Sequence, residues 1–133
     1  MTTGSINQTV QFSASPKQVY DLLMNKKLYS EFTGGKVIVS DKVEGAFSVF
    51  DGYCTGYNIE LVSGKKIIQK WNFKEDGWPN NHYSVCTFIF SKIANGCQLD
   101  FTQTDIPEHK IDDLSQGWKD YYWEPMKTYL ATL

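Results

Sequence analysis

Residues 112–133 carry the pattern that most constrains the fold. Apolar side chains recur there at steps of three and four, which is the spacing of one face of a helix. The rest of the chain is strand-like, so this is the one long helix available to cover a curved sheet. We expect Asp112 or Asp113 to cap it, and Pro125 to kink it because proline lacks a backbone N–H. The apolar face consists of Leu114, Trp118, Tyr121, Tyr122, Met126, Tyr129, Leu130 and Leu133.

Length and charge set the class of protein. A chain of 133 residues is the size of one domain, and we assign residues 1–133 to a single domain. The net charge of -2 gives no basic footprint for nucleic acid. The first ten residues lack the pattern of a signal peptide, and no stretch approaches the ~20 apolar residues of a membrane span. We therefore expect a cytoplasmic protein, with a monomer favoured.

The three cysteines are predicted to be reduced, packed thiols. Cys54, Cys86 and Cys97 form no C-x-x-C pair, and an odd count suits a disulfide framework poorly. If Asn95-Gly96 is a two-residue turn, Cys97 faces Ala94 while Cys86 lies far along the partner strand, beyond the ~7 Å that a disulfide allows between Cα atoms.

The first third of the chain predicts one strand and two short helices. Residues 5–12 alternate between apolar and polar, which is typical of a strand. Ser15-Pro16 predicts a helix start, because serine caps well and proline is tolerated at the first helical position. A second short helix is predicted over residues 26–32, ended by Gly34-Gly35.

From residue 37 onward apolar residues recur at every second position, which is the spacing of a strand with one buried face. Short connections between the strands force antiparallel neighbours. The last hairpin, turning at Asn95-Gly96, is predicted to set Phe90 opposite Phe101 and Phe88 opposite Gln103. The order of elements predicts an α+β helix-grip fold, in which a curved antiparallel sheet of about six strands wraps the long C-terminal helix. The predicted strands cover residues 37–40, 46–50, 57–62, 65–73, 83–92 and 98–104.

The search for catalytic chemistry is negative. His82 and His109 fall in loops or strand ends without a second ligand at metal spacing. The chain has no nucleophile elbow, phosphate-binding loop or dinucleotide fingerprint. We predict no catalytic residues, no metal and no cofactor.

Three glutamines lie in rows of apolar residues. Gln8, Gln69 and Gln103 are each in phase with apolar neighbours, and a buried amide is costly unless it is hydrogen-bonded. One interpretation is that they face a partly wet cavity and orient a ligand. The other is that they pair with each other, with tyrosine hydroxyls or with water, and we favour this second one.

A kinked aromatic helix over a concave sheet suggests a cavity between the two. The loop dipeptide Trp78-Pro79 has charged neighbours and is predicted to be exposed, which makes it a candidate for contact with a partner. The candidate cavity residues are Gln69, Trp71, Phe73, Phe88, Phe90, Phe101, Gln103, Trp118, Tyr121, Tyr122 and Met126.

Four segments together resemble a known family. They are SASPKQVYDLL, VEGAFSVFDGYCTGYNIELVSGKKIIQKWNFK, WPNNHYS and QGWKDYYWEPMKTYL. The set resembles the C-terminal domain of the activators of the heat-shock chaperone ATPase, and that domain's stand-alone bacterial relatives. These belong to the START-like, birch-pollen-allergen-like (SRPBCC) superfamily, so the resemblance implies the helix-grip fold and a role in the stress response.

The resemblance also bears on individual residues. In the full eukaryotic activators a separate N-terminal domain contributes much of the chaperone stimulation, and 133 residues leave no room for it. The family's matched positions are structural or interface-forming, and the resemblance supplies no catalytic set. The positions that match are Trp71, Phe73, Trp78, Pro79, Gly117, Trp118, Tyr121 and Tyr122.

Three functional hypotheses remain open at this point. The first is a non-enzymatic module that binds an apolar or aromatic small molecule between sheet and helix. The second is a co-chaperone domain that docks on the heat-shock chaperone and modulates its ATPase. The third, held lowest, is a cyclase or hydratase that uses a pocket tyrosine or histidine as acid or base.

Overall fold

The computed structural model describes residues 2–133 and contains one seven-stranded antiparallel sheet, in the order β1-β7-β6-β5-β4-β3-β2. Two short helices follow the first strand, and a long helical segment ends the chain. This is the predicted α+β helix-grip architecture. The strands are β1 Thr3–Phe12, β2 Ile38–Val39, β3 Ala46–Val49, β4 Cys54–Val62, β5 Lys66–Phe73, β6 Ser84–Ile93 and β7 Gly96–Pro107, and the helices are α1 Pro16–Met24, α2 Lys26–Thr33, α3 Ile111–Trp118 and α4 Glu124–Leu130.

The first short helix begins where the sequence predicts, and the second agrees with its predicted start and end to within one residue. Ser15 caps α1 in a reciprocal arrangement with Gln18, in which each side chain bonds the other's backbone N–H. Asn25 accepts a hydrogen bond from the Leu28 backbone N–H at the start of α2. Gly34 ends α2 with a φ of 74°, a conformation that costs glycine little.

The sheet is curved around its buried face. Inward residues of β5, β6 and β7 alternate with half-buried or exposed ones, as expected for a sheet covered on one side. The pairing shifts between Gly4 and Ile6 in β1, and between Asn58 and Glu60 in β4. Such bulges increase the local twist, which bends the sheet toward the C-terminal helix. No helix within residues 2–133 is long and apolar enough to span a membrane.

The register of the last hairpin differs from the prediction. Ile93 pairs with Gly96, so the two turn residues are Ala94 and Asn95. Phe88 consequently lies opposite Phe101, not Gln103, and Phe90 lies opposite Leu99. The predicted pairing partner of each residue is therefore wrong by two positions. Because side chains alternate with a period of two, such a shift leaves every residue on its predicted face.

The three cysteines agree with the prediction. Cys54, Cys86 and Cys97 are all buried free thiols. Cys97 lies opposite Lys92 and Cys86 lies opposite Gln103, so the two hairpin cysteines are far apart along the strands.

The C-terminal segment is not one regular helix. A 3₁₀ turn, Glu108–Lys110, leads directly into α3, and Lys110 at the helix boundary already has helical dihedral angles. The prediction that Asp112 or Asp113 caps the helix is therefore wrong. Both lie inside its first turn, where carboxylates interact favourably with the helix dipole.

A widened, π-helical turn over residues 119–123 joins α3 to α4. The Glu124 N–H bonds the Lys119 carbonyl five residues back, and Pro125, which has no N–H, follows in the first turn of α4. In such a turn the fifth residue returns to the same face, so Trp123 is buried and stacks on Trp118 at 5.5 Å. Tyr121 turns outward and is 62% exposed, so its predicted burial is wrong.

Gly56 in β4 permits the close approach of the neighbouring backbone. A Cβ atom there would lie 1.8 Å from the Lys70 carbonyl oxygen and 2.7 Å from the Phe47 ring. We expect Gly56→Ala to lower the free energy of unfolding by about 3 kcal/mol or more, because backbone must move. Urea denaturation measures this. Gly35→Ala is the control, since no heavy atom lies within 4 Å of its Cβ position, and an equal loss there would contradict the prediction.

Candidate functional site

All three glutamines in apolar rows are bonded to tryptophan side chains. In each case an indole N–H donates to the glutamine side-chain oxygen. The pairs are Trp71 with Gln69 at 2.9 Å, Trp118 with Gln103 at 2.7 Å, and Trp123 with Gln8 at 2.6 Å. We call these the glutamine–indole pairs.

The amide nitrogens of the same glutamines are also satisfied. That of Gln69 donates to Asn58, that of Gln103 to the Ser84 hydroxyl, and that of Gln8 to Ser115. Every buried side-chain nitrogen and oxygen among residues 2–133 has a hydrogen-bond partner. The glutamines are therefore structural groups, although their partners are indoles and not the tyrosine hydroxyls or water that we considered.

A second buried polar contact joins α2 to the C-terminal segment. The hydroxyl groups of Tyr29 and Tyr122 share a short hydrogen bond inside the core. Burial raises the pKa of both phenols well above the ordinary value, so both stay protonated at neutral pH. The contact positions Tyr122 beside the opening described next.

A cleft of about 330 Å³ lies between the ends of β4 and β5 on one side and α3 with the widened turn on the other. Its floor is formed by buried side chains, among them Trp71, Trp118 and Tyr122. Tyr53 and Tyr121 lie at its exposed rim. The full lining is Phe50, Tyr53, Cys54, Trp71, Phe73, Glu75, Asp113, Leu114, Gly117, Trp118, Tyr121 and Tyr122.

Two carboxylates lie in the lining and differ in their partners. Glu75 accepts a hydrogen bond from the Tyr53 hydroxyl and forms an ion pair with Lys110 at 3.5 Å. Burial, followed by the hydrogen bond to Glu75, raises the pKa of Tyr53. Asp113 has neither a hydrogen bond nor an ion pair within the described part of the chain.

Phe50 forms a side wall of the cleft from an unusual backbone. Phe50, Asp51 and Gly52 have consecutive φ values of 53°, 56° and 88°. This left-handed region is unfavourable for a bulky residue, so the surrounding structure must impose it. The Phe50 ring meets Tyr121 and Tyr122 edge-on, at 6.0 and 6.1 Å.

The cleft includes some of the predicted cavity residues and not others. Five of them line it, namely Trp71, Phe73, Trp118, Tyr121 and Tyr122. Six are buried elsewhere in the core and do not line it, namely Gln69, Phe88, Phe90, Phe101, Gln103 and Met126. Phe88 and Phe101, for example, pack against each other at 5.0 Å.

The sequence interpretation missed several lining residues. Leu114 lies on the predicted apolar face of the helix, but that spacing alone does not indicate that it lines a cavity. Phe50, Tyr53 and Glu75 fall at strand ends or in loops, where alternation no longer indicates which side chains point inward. The glycine at 117 was the one available signal, since an interior glycine weakens a helix and suggests a reason of packing or function.

The predicted exposure of Trp78 is wrong. Trp78 is 7% exposed, donates its indole N–H to the His82 carbonyl at 2.9 Å, and packs on Phe73 at 4.8 Å. Charged neighbours in its loop suggested a surface position, but the indole covers the edge of the core. Pro79 beside it is half-buried, and both line a second, polar hollow that shares Phe73 and Glu75 with the lining of the cleft.

The two histidines lie outside the cleft lining. The Nε2 atom of His82 is 2.6 Å from the Asp105 carbonyl oxygen, and that of His109 is 3.0 Å from the Gly77 carbonyl oxygen. Within residues 2–133 no three His, Cys, Asp or Glu side chains are grouped in a way that would hold a metal ion.

Fold and cleft together define a helix-grip domain with an aromatic opening beside its C-terminal helix. The family model described as "Activator of Hsp90 ATPase homolog 1-like protein" matches residues 13–131. The chain belongs to this family.

Relatives of known name agree with this assignment. The chain is 30% identical to human "Activator of 90 kDa heat shock protein ATPase homolog 1" and 31% identical to the mouse protein, over 125 residues. These matches cover 94% of this chain but 36% of each relative, so the chain spans about a third of their length. The crystal structure of an HSP90 activator from Plasmodium falciparum superposes with a TM-score of 0.86 at 23% identity, covering 96% of both chains.

The tyrosine pair can be tested by a double-mutant cycle. Tyr29→Phe leaves the Tyr122 hydroxyl buried without a partner, so we expect a loss of about 1–3 kcal/mol in the free energy of unfolding. Tyr122→Phe leaves the Tyr29 hydroxyl buried without a partner, so we expect a loss of the same size. The double variant removes both polar atoms and should lose clearly less than the sum of the single variants. Urea denaturation measures all three, with Tyr83→Phe as a surface control; additive losses would show that the hydroxyls do not interact.

Proposed function

We propose that the cleft binds a small apolar or aromatic molecule without reacting with it. The observation that carries this proposal is a cleft of about 330 Å³ whose lining is largely aromatic. Pockets for small ligands have volumes of ~300–1,000 Å³ and are mostly apolar with a few polar groups, which is the composition of this lining.

The floor of the cleft is suited to a flat ring. The rings of Trp71, Trp118 and Tyr122 pack against one another. The ring centroids are 5.1 Å apart for Trp71 and Trp118, 6.2 Å for Trp71 and Tyr122, and 4.6 Å for Trp118 and Tyr122. Their polar atoms are engaged in the glutamine–indole and tyrosine pairs, so the rings present apolar surface to the opening. A bound ring would gain hydrophobic burial and edge or stacked contacts of about 0.5–1.5 kcal/mol each.

Three ionisable groups of the lining, Tyr53, Cys54 and Tyr122, favour binding over catalysis. Burial raises the pKa of the Cys54 thiol, and a thiol is a nucleophile only as the thiolate. The pKa values of Tyr53 and Tyr122 are also raised, away from the neutral range in which a general acid or base is effective. These shifts argue against the cyclase or hydratase hypothesis.

Gly117 offers a direct test of binding in the cleft. Its Cβ position has open space, because beyond the adjacent residues and the backbone of its own helix the nearest heavy atom is Tyr121 Cδ2, at 4.0 Å. Gly117→Leu should fill the cleft without unfolding the protein, since leucine is the better helix former. We expect the neutral fluorescent probe N-phenyl-1-naphthylamine to bind the native protein and to bind this variant at least about tenfold more weakly, a change of ~1.4 kcal/mol.

The matched control is Gln116→Leu, which adds the same side chain to the exposed face of the same helix. It should bind the probe like the unmodified protein. Equal binding by all three proteins would place the probe elsewhere, and absence of binding to the unmodified protein would overturn the proposal.

The names of the relatives favour a second candidate function, docking on an Hsp90 chaperone. The human and mouse relatives are activators of the chaperone ATPase, and this chain corresponds to about a third of each. The domain would then act as one of several contact surfaces for the chaperone, with or without an effect on its turnover.

This second candidate is tested by adding the protein to the host's Hsp90 and measuring the ATPase rate and the binding. We expect binding at micromolar concentration and a changed rate, and we expect Gly117→Leu to retain both, because the added leucine would lie inside the cleft. Trp78→Ala is unsuitable as a probe, since Trp78 is part of the core. Absence of binding at micromolar concentrations would argue against docking.

A further inference from the structure

We infer that the cleft selects organic cations, namely small aromatic molecules that carry a protonated amine. This inference deepens the proposed function and rests on it, because it names the charge class of the ligand that the cleft would bind.

The charges of the lining are of one sign. Of its twelve residues, Glu75 and Asp113 are acidic, and none is a lysine, arginine or histidine. The carboxylates alone would not make a site; they matter because they border an apolar cleft that can hold the ring of a ligand beside them.

The two carboxylates are not equivalent toward a ligand. Lys110 balances the charge of Glu75, and the Tyr53 hydroxyl occupies one of its oxygens. Asp113 has no such partner among residues 2–133. Its exposed carboxylate, one turn before Gly117 on α3, is therefore the group available to a ligand ammonium while the ring lies on the aromatic floor.

The aromatic rim adds to the same preference. Tyr53 and Tyr121 are exposed at the opening, and Phe50 lies edge-on to Tyr121. The face of an aromatic ring attracts a cation within about 6 Å, by roughly 0.5–1 kcal/mol at an exposed site. An anion at this position would meet the negative faces of the rings and an unpaired carboxylate.

Three indole derivatives of nearly equal size separate charge from shape. Tryptamine is a cation at neutral pH, indole-3-ethanol is neutral and indole-3-propionate is an anion. We expect tryptamine to bind roughly tenfold more tightly than indole-3-ethanol, because an exposed ion pair and a cation–π contact each contribute modestly. Indole-3-propionate should bind most weakly, and the preference for tryptamine should shrink at high salt.

Titration of the ¹⁵N-labelled protein, followed by proton–nitrogen correlation spectra, gives the three dissociation constants and the residues affected. The first variant, Asp113→Asn, should reduce the affinity for tryptamine to about that for indole-3-ethanol, and should change the affinity for indole-3-ethanol much less. Asp112→Asn is the matched control, because Asp112 is also an exposed carboxylate in the first turn of α3 but does not line the cleft.

The outcomes separate the two levels of the proposal. If the neutral or anionic compound binds as tightly as tryptamine, or if Asp112→Asn and Asp113→Asn have equal effects, the selection of cations by Asp113 is overturned while binding in the cleft stands. If N-phenyl-1-naphthylamine binds in the cleft but none of the indoles does, the cation inference fails alone. If neither the naphthylamine nor any indole binds, both proposals fail.

Discussion

The hydrogen bonds from tryptophan indoles to glutamine side chains fix the C-terminal helix on the sheet. Trp118 reaches Gln103 on β7, and Trp123 reaches Gln8 on β1, so two adjacent strands each hold one ring of the helix. Apolar contacts alone would tolerate sliding of the helix over a smooth aromatic surface. A buried N–H or amide that loses its partner costs about 1–3 kcal/mol, so displacement of the helix would break several such bonds at once. These pairs give the interface one preferred position.

The widened turn makes this arrangement available to a single helix. Trp118 and Trp123 are five residues apart, and in a regular helix they would lie about 140° apart around the axis. The bond from the Glu124 N–H to the Lys119 carbonyl returns the fifth residue to the same face, so that both indoles point to the sheet. The adjacent Pro125 has no N–H to contribute to a regular ladder, which lowers the cost of the irregularity. The same turn places Tyr121 outward at the rim of the cleft.

Local sequence patterns predicted the helices and strands. The features that they did not predict depend on contacts between those helices and strands. Alternation and capping residues such as Ser15 predicted the strands, both short helices and the helix-grip class. The hairpin register could not be obtained from alternation, because a shift of two residues preserves the faces of Phe88 and Phe101. The burial of Trp123 could not be obtained from a regular helical period. The cleft was expected only in general terms, because its lining combines loop residues such as Tyr53 with helix residues whose phase depends on the widened turn.

The cleft persists because the residues around it cannot fill it. Gly117 lies in α3 over the opening and has no side chain to place there, although a glycine inside a helix costs roughly 0.5–1 kcal/mol relative to alanine. Phe50 has a ring large enough to occupy part of the space, but its left-handed backbone places that ring against Tyr121 and Tyr122 at the wall. A domain under selection for stability alone would gain from a larger side chain at position 117 and from a relaxed backbone at position 50. Both departures from the most stable choice border the same opening, so the local cost in packing and backbone energy is concentrated around the cleft.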